Sequence, residues 1–368
     1  MTNNKPEMTA RKPIEIAVAS FSGAQATSIH GLTDLFGYAD YFARLHTGSA
    51  HPTVRVTHWQ ADANGTLRCG LETSADQGQP FTAVILPACQ IAPPQPQIAR
   101  ECVAWVREQH AAGAIIAAVC GGVFLLAESG LLAGRRATTH WMFAEELQRR
   151  FPDITVNPDL LVIDDHDLVT AGGVLAWVDM GLKLVERFLG TTVMSSTAHF
   201  MLMDPRGREQ RYYGNFAPRL QHGDKVILSL QHWLQANPSV ACSVSSLADR
   251  AGLGARTFLR RFTAATGVTP SEYQQRLRVA RSRERLEFTR ETIEQIAAAL
   301  GYEDAGGFRR AFKRVLGLSP AEYRRRFHHE RGAGESGGRS SGNVHEQLVD
   351  GRRLTPWGRE TVTSPAPE

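Results

Sequence analysis

The chain has 368 residues, and no apolar run in it approaches the roughly 18–20 residues of a membrane-crossing helix. Its start, Met1–Lys12, is polar and lacks the apolar core of a signal peptide, so a secreted or membrane-anchored reading finds no support. Cysteine is scarce. The five residues at 69, 89, 102, 120 and 242 show no metal-ligand spacing and fit a reducing cytoplasm, and no cofactor motif is present. Net charge is also small, +4. Its distribution is uneven, however. From Lys225 to His329 there are 18 Lys and Arg against nine Asp and Glu, a surplus of nine; the rest holds 23 against 28, a deficit of five. A basic module joined to a mildly acidic one is the pattern of a DNA-binding domain attached to something else.

Within the basic region the sequence repeats itself. Leu247-Ala248-Asp249-Arg250-Ala251-Gly252-Leu253, Phe258, Phe262, Gly267 and Thr269-Pro270-Ser271-Glu272-Tyr273 have counterparts. These are Ile296-Ala297-Ala298-Ala299-Leu300-Gly301-Tyr302, Phe308, Phe312, Gly317 and Ser319-Pro320-Ala321-Glu322-Tyr323. Each copy predicts a short helix that stops at Gly252 or Gly301, where a tight turn needs positive φ. A second helix follows, with two phenylalanines at i and i+4 on one face. Thr292 and Gln295 form a capping box, and Thr269-Pro270 and Ser319-Pro320 announce a third helix. The outer faces carry Arg256, Arg260 and Arg261, or Arg309, Arg310 and Lys313. Helix, glycine turn and helix, apolar inside and basic outside, is a helix-turn-helix pattern.

These residues resemble the AraC/XylS family of transcription regulators over about Lys225 to Phe327, with the signature at Ile293–Tyr323. The resemblance implies two helix-turn-helix units entering successive major-groove segments, an activator that contacts RNA polymerase, and a homodimer. The DNA-facing set on this reading is Ala255, Arg256, Thr257, Arg260, Arg261, Ala305, Gly306, Arg309, Arg310 and Lys313. Where the family usually has a polar set such as Pro-Ser-Ser, this chain has Ala305-Gly306-Gly307. Two glycines offer nothing to a base edge but let the backbone approach a phosphate, with Asp304 able to cap the helix. The first unit is therefore expected to read bases, above all through Arg256, and the second to hold phosphates.

In the first two hundred residues, strands are predicted at Ile14–Ser20, Val54–Trp59, Ala83–Leu86 and Ala114–Val119. Helices are predicted at Gln97–Ala112, Gly122–Ser129, Trp141–Arg150 and Ala176–Leu189. Such alternation implies a parallel sheet covered on both faces. The run Ala114–Val119 passes straight into Cys120-Gly121-Gly122, and small residues flanking a cysteine are what a nucleophile elbow needs. A helix N-terminus beneath it would favour a thiolate. His140 follows in Thr138-Thr139-His140-Trp141. The stretch Val119–Trp141 resembles the ThiJ/PfpI branch of the class I glutamine amidotransferase-like superfamily. It is closest in pattern to the GlxA-type subgroup, in which this flavodoxin-like domain precedes an AraC-type domain. The resemblance extends over Pro13–Leu202, including Ala171-Gly172-Gly173, and Gly207-Arg208-Glu209-Gln210 and His222-Gly223-Asp224 in the connection beyond it also look like that subgroup.

Cys120 and His140 match the superfamily's reactive pair, but two positions depart. Ser28 stands where enzymatic members carry a glutamate, and Pro87-Ala88-Cys89 replaces Pro-Gly-Gly at the oxyanion hole. With activation and preorganised donors both altered, the expectation is a pocket that binds and does no chemistry. Ser28, Ala88, Cys89, Cys120, Gly121, His140 and Trp177 would line it, and a small nitrogenous metabolite, an amino acid or quaternary amine, would be the effector. The alternatives are a redox sensor through Cys89 and Cys120, and a cysteine hydrolase or hydratase with an attached DNA-binding domain. The expected organisation is disorder at 1–12, a sensing domain at 13–204, a connection at 205–224, a DNA-binding domain at 225–329 and a Gly/Ser/Pro-rich disordered tail at 330–368.

Overall fold

A computed structural model describes residues 12–328, apart from 62–66, 74–79, 90–92, 94, 95, 205–208, 215, 217 and 221, and without the side chains of 61 and 96–101. The expected disordered ends at 1–12 and 330–368, and Gly207-Arg208, thus fall almost wholly outside the described residues.

The N-terminal half follows the order β1 (Ile14–Ser20), α1 (Ala26–Thr47), β2 (Val54–Ala61), β3 (Leu67–Glu72), β4 (Ala83–Leu86), α2 (Pro96–Ala111) and β5 (Ile115–Val119). It continues with α3 (Val123–Glu128), β6 (Arg136–Ala137), α4 (Ala144–Arg150), β7 (Thr155–Val156), β8 (Val162–Asp165), β9 (Leu168–Ala171), α5 (Trp177–Leu189) and α6 (Thr191–Phe200). Seven strands form one sheet in the order β3-β2-β1-β4-β5-β9-β8, and β6 pairs with β7 apart from it. The four predicted strands run parallel, as expected, and a fifth inner strand that was not predicted, the four-residue β9, continues them, whereas β3 and β8 are antiparallel edges. Those edge strands are short and partly polar, which is why apolar runs alone did not reveal them.

Strand alternation divides the core in two. Ile16 and Val18 face a layer made by α1, α5 and α6, while Ala17 and Ala19 face α2 and α3. The α1–α5 contact is close: a Cβ on Gly31 would lie 2.4 Å from the Trp177 ring. Glycine in a helix costs about 0.5–1 kcal/mol against alanine, and here the backbone contact it permits replaces a side chain.

The C-terminal half is entirely helical: α7 (Lys225–Ala236), α8 (Val244–Arg250), α9 (Ala255–Thr266), α10 (Pro270–Phe288), α11 (Ile293–Ala299), α12 (Ala305–Leu316) and α13 (Pro320–Phe327). It holds two separate cores. Phe258, Phe262, Tyr273 and Leu277 pack with α7 and α8; Phe308, Phe312 and Tyr323 pack with Val279, Leu286 and α11. The long α10 serves both, closing the first unit with one half and opening the second with the other. The ring triads superpose in kind: Phe258–Phe262 and Phe262–Tyr273 centroids are 5.5 and 5.4 Å apart, and Phe308–Phe312 and Phe312–Tyr323 are 5.6 and 5.4 Å apart. Caps set the helix starts. Ser243, Thr269 and Asp304 accept backbone N–H groups, and Thr292 and Ser319 form full capping boxes. At Gly301 φ is +74°, and a Cβ there would lie 1.9 Å from the Ser239 carbonyl oxygen. The turn between α11 and α12 therefore excludes any side chain twice over.

Candidate functional site

With both phenylalanines of α9 turned inward, Ala255, Arg256, Thr257 and Arg260 are exposed on its outer face. Arg261 is placed differently. Its guanidinium donates to both carboxylate oxygens of Asp224, at 2.8 and 2.7 Å, and this pair holds the Asp224 carboxyl well below the usual carboxylate range, at about 2. Asp224 also accepts from the Ile227 amide, capping α7. Arg261 thus ties α9 to α7 and is not free to face DNA in this arrangement, contrary to its assignment from sequence.

On α12, Arg309, Arg310 and Lys313 are exposed. Arg309 donates to Glu294 at 2.6 Å, but both side chains are at least half exposed, and such surface pairs contribute about 0–1 kcal/mol and can exchange for a phosphate. Ala305 and Gly306 are half-buried at the helix start. There Asp304 accepts from the Gly307 amide at 2.7 Å, and a Cβ on Gly306 would lie 2.8 Å from its Oδ1. The carboxylate occupies the ground on which a phosphate was expected to approach the backbone. What this helix leaves open to solvent is its Arg and Lys side chains.

In the N-terminal domain the strand β5 ends in a sharp turn. Cys120 has φ +54°, and a Cβ on Gly122 would lie 2.4 Å from the Pro87 carbonyl oxygen. This is the elbow geometry the small residues announce. The cysteine is only 1 % exposed, though, and Cys89 beside it 4 %. Burial pushes the Cys120 thiol up to about 11 and, together with the Cys120 charge, Cys89 up to about 12. Burial thus works against the expected thiolate: the hydrogen bond from the Gly121 backbone pulls the other way, and desolvation is the larger effect.

The neighbouring side chains are engaged elsewhere. His140 Nδ1 accepts from the Met142 amide at 3.2 Å, burial lowers its imidazole pKa, and no hydrogen bond joins it to Cys120 among the described residues. Thr139, not His140, reaches the elbow, donating its hydroxyl to the Cys120 carbonyl at 2.7 Å. Ser28 is fully buried and accepts from the Ala88 amide at 3.3 Å, while the Gln25 amide donates to the Ala88 carbonyl at 2.7 Å. The strand end that would donate to an oxyanion is thereby occupied by α1.

Trp177 does not join this group in a pocket. It lines a cavity of about 300 Å³ with Gly31, Asp34, Tyr38, Phe200 and Met201, on the α1–α5–α6 side. The Tyr38 and Phe200 rings lie 4.9 Å apart, and the Trp177 indole N–H is buried with no hydrogen-bond partner among the described residues. Sequence reasoning missed Asp34, Tyr38 and Phe200, because α1 and α6 are brought together only by the fold. It also missed Gln210 as a contact residue, although the surrounding motif was conspicuous. Among the described residues, no grouping of three or more His, Cys, Asp or Glu side chains suits a metal ion, and no helix is long and apolar enough to cross a membrane.

Comparison with known proteins agrees with this two-part reading. Residues 16–187 match the DJ-1/PfpI family, and residues 247–326 match a helix-turn-helix domain. The transcriptional regulators CdhR and GbdR of Pseudomonas aeruginosa are each 27 % identical, over 60 % and 62 % of this chain and 66 % and 63 % of their own. GlxA of Rhizobium meliloti is 27 % identical over 58 % of this chain and 66 % of its own. The chain spans slightly under two thirds of the length of each of these relatives. Both halves, their order and the named relatives lead to one conclusion: the chain joins a DJ-1/PfpI domain to an AraC-type helix-turn-helix domain, the architecture of the GlxA-type regulators.

Proposed function

We propose that the chain is a transcription regulator in which α9 and α12 grip promoter DNA and the DJ-1/PfpI domain senses a small molecule without transforming it. The observation that carries the DNA side is the repeated Phe-Phe-Tyr scaffold, which leaves Arg256 and Arg260 in one unit and Arg310 and Lys313 in the other exposed on helices of matched geometry. Selection from random duplex DNA with the full chain, followed by binding at graded salt, tests it. Enrichment of a two-part site with steep salt dependence is expected, and residues 224–329, which keep the Asp224 cap and its tie to Arg261, should bind the same site. Absence of any binding at low salt sinks the reading.

For the effector, the cavity beside Trp177 is favoured over the elbow. Three aromatic side chains and the exposed carboxylate of Asp34 suit a small organic cation, such as an amino acid or a quaternary amine. A thermal-shift screen against those two classes tests this, since a bound ligand raises the melting temperature. The reading extends to a cytoplasmic homodimer that activates through RNA polymerase. Exposed Tyr41, Leu45 and Phe200 on α1 and α6 support self-association, which sedimentation velocity would measure.

A redox reading has one observation in its favour. A Cβ on Gly121 would lie 2.8 Å from the Cys89 sulfur, which places Cys89 against the elbow. Thiol titration before and after mild peroxide separates the two: loss of two thiols favours the switch, and an unchanged count favours the simple sensor.

A further inference from the structure

Residues 209–214 and Arg219 make contacts that a passive linker would lack. The side chain of Gln210, 3 % exposed, is inserted into the N-terminal domain. Its Nε2 donates to the Thr139 carbonyl at 2.9 Å, the Leu160 carbonyl at 3.1 Å and the Thr138 hydroxyl at 3.1 Å; its Oε1 accepts from the Trp141 amide at 3.1 Å. Thr139 is the residue that holds the Cys120 carbonyl. A Cβ on Gly172 would overlap the Gln210 amide, at 1.8 Å, so the slot is shaped for this side chain.

The same segment fastens to the second helix-turn-helix unit. Arg283 on α10 donates to the Gly214 carbonyl at 2.5 Å and to the Tyr212 and Tyr213 carbonyls at 3.3 Å, while its Nε donates to the Tyr323 hydroxyl at 2.7 Å. Arg326 lies over the Tyr212 ring, and the Tyr213 and Phe327 rings are 5.5 Å apart.

Two arginines repeat one contact on the two units. A Cβ on Gly317, which ends α12, would lie 2.6 Å from the Arg211 guanidinium. A Cβ on Gly267, which ends α9, would lie 3.5 Å from that of Arg219. Gly267 and Gly317 are equivalent positions of the repeat, both with left-handed φ. Each guanidinium therefore sits at the negative end of a recognition helix, where a cation is favoured. Arg211 pairs with Glu209 within the segment, and Arg219 pairs with Glu145 on α4 at 3.3 Å.

We propose that residues 209–214 and Arg219 form the transmission element between the two domains, with Gln210 latched into the loop that supports the elbow and Arg211 and Arg219 holding the C-termini of the two recognition helices. The element has two separable arms. Gln210 and Arg211 govern the second unit; Arg219 governs the first. The significance for regulation rests on the sensor reading above, but the mechanical claim does not.

Hydrogen–deuterium exchange on the full chain, free of DNA and effector, tests it with Gln210→Ala, Arg211→Ala, Arg219→Ala and a surface control on exposed Glu108, Glu108→Ala. Gln210→Ala should raise exchange at least fivefold in 305–327 while leaving 244–266 within twofold. Arg219→Ala should raise exchange in 255–270 and spare 305–327. An effect of Gln210→Ala confined to 138–161, or spread evenly over the chain, overturns the proposal. Should Gln210→Ala not fold, Arg211→Ala, which leaves the N-terminal slot intact, must still loosen 305–327; unchanged exchange there also overturns it. DNA binding by the unsubstituted chain is measured in parallel, and its failure would bear on the regulator reading alone.

Discussion

The claim that the elbow performs no chemistry depends on the ionisation of one thiol, and labelling kinetics can measure it. Relative to an ordinary value of 9.0, a Cys120 pKa of about 11 reduces the thiolate at pH 8 about 100-fold, from roughly 9 % to roughly 0.1 %. Near-complete burial slows access further. Native protein would be pulsed with iodoacetamide and each cysteine followed by mass spectrometry against a denatured control. Half-buried Cys69 and Cys242 should label first, and Cys120 at least 100-fold more slowly than in the denatured chain. While the chain stays folded, the Cys120 rate should climb about tenfold per pH unit up to pH 10, because thiolate appears only as pH approaches the raised value. A Cys120 that labels as fast native as denatured, or whose rate levels off below pH 8, refutes the argument and restores a reactive nucleophile. The same shift has a stability consequence. The folded state keeps the proton that the unfolded state loses first, so the contribution is full below about pH 9 and disappears as pH rises through 11. It amounts to about 2–3 kcal/mol for a two-unit shift.

On DNA, Arg256→Ala should relax preference at one or two base pairs, by about 1–3 kcal/mol of discrimination. Arg310→Ala should weaken all sequences alike and flatten the salt dependence, and a base-substitution scan of a selected site separates the two outcomes. Arg261→Ala should leave base preference unchanged and instead lower stability through loss of the Asp224 tie, which urea denaturation of the same variant would register. Gly301→Ala should destabilise by about 2–4 kcal/mol, from a left-handed φ and overlap with the Ser239 carbonyl; an unchanged urea midpoint would contradict the turn as described. Trp177→Ala and Asp34→Asn should each abolish the thermal shift given by whichever cation the screen identifies, whereas Cys120→Ala should keep most of it.

Local signals were legible where chemistry acts over a few residues. The caps at Thr269, Thr292 and Ser319, the phenylalanine pairs at i and i+4 and the strand running into Cys120-Gly121-Gly122 each depend on neighbours within one or two turns. Pairing across the chain was not legible. Arg256 and Arg261 look equivalent as basic residues of one helix, yet Asp224, 37 positions earlier, captures only Arg261. Trp177 and Cys120 were assigned to one pocket, but they face different spaces once α1 packs through Gly31 against α5.

The sequence by itself determined the two-domain class, the duplication of the helix-turn-helix unit, the segregation of positive charge and the elbow turn, since period, composition and spacing act locally and are written residue by residue. Tertiary structure alone decided which charges are spent on the protein and which remain for DNA. It also decided that Glu15 and Arg55, which interrupt two apolar strands, are register partners joined at 2.8 Å, and that Cys120 is buried where desolvation raises its pKa. Burial, desolvation and the identity of a distant partner set these outcomes, and all three are properties of the packed chain.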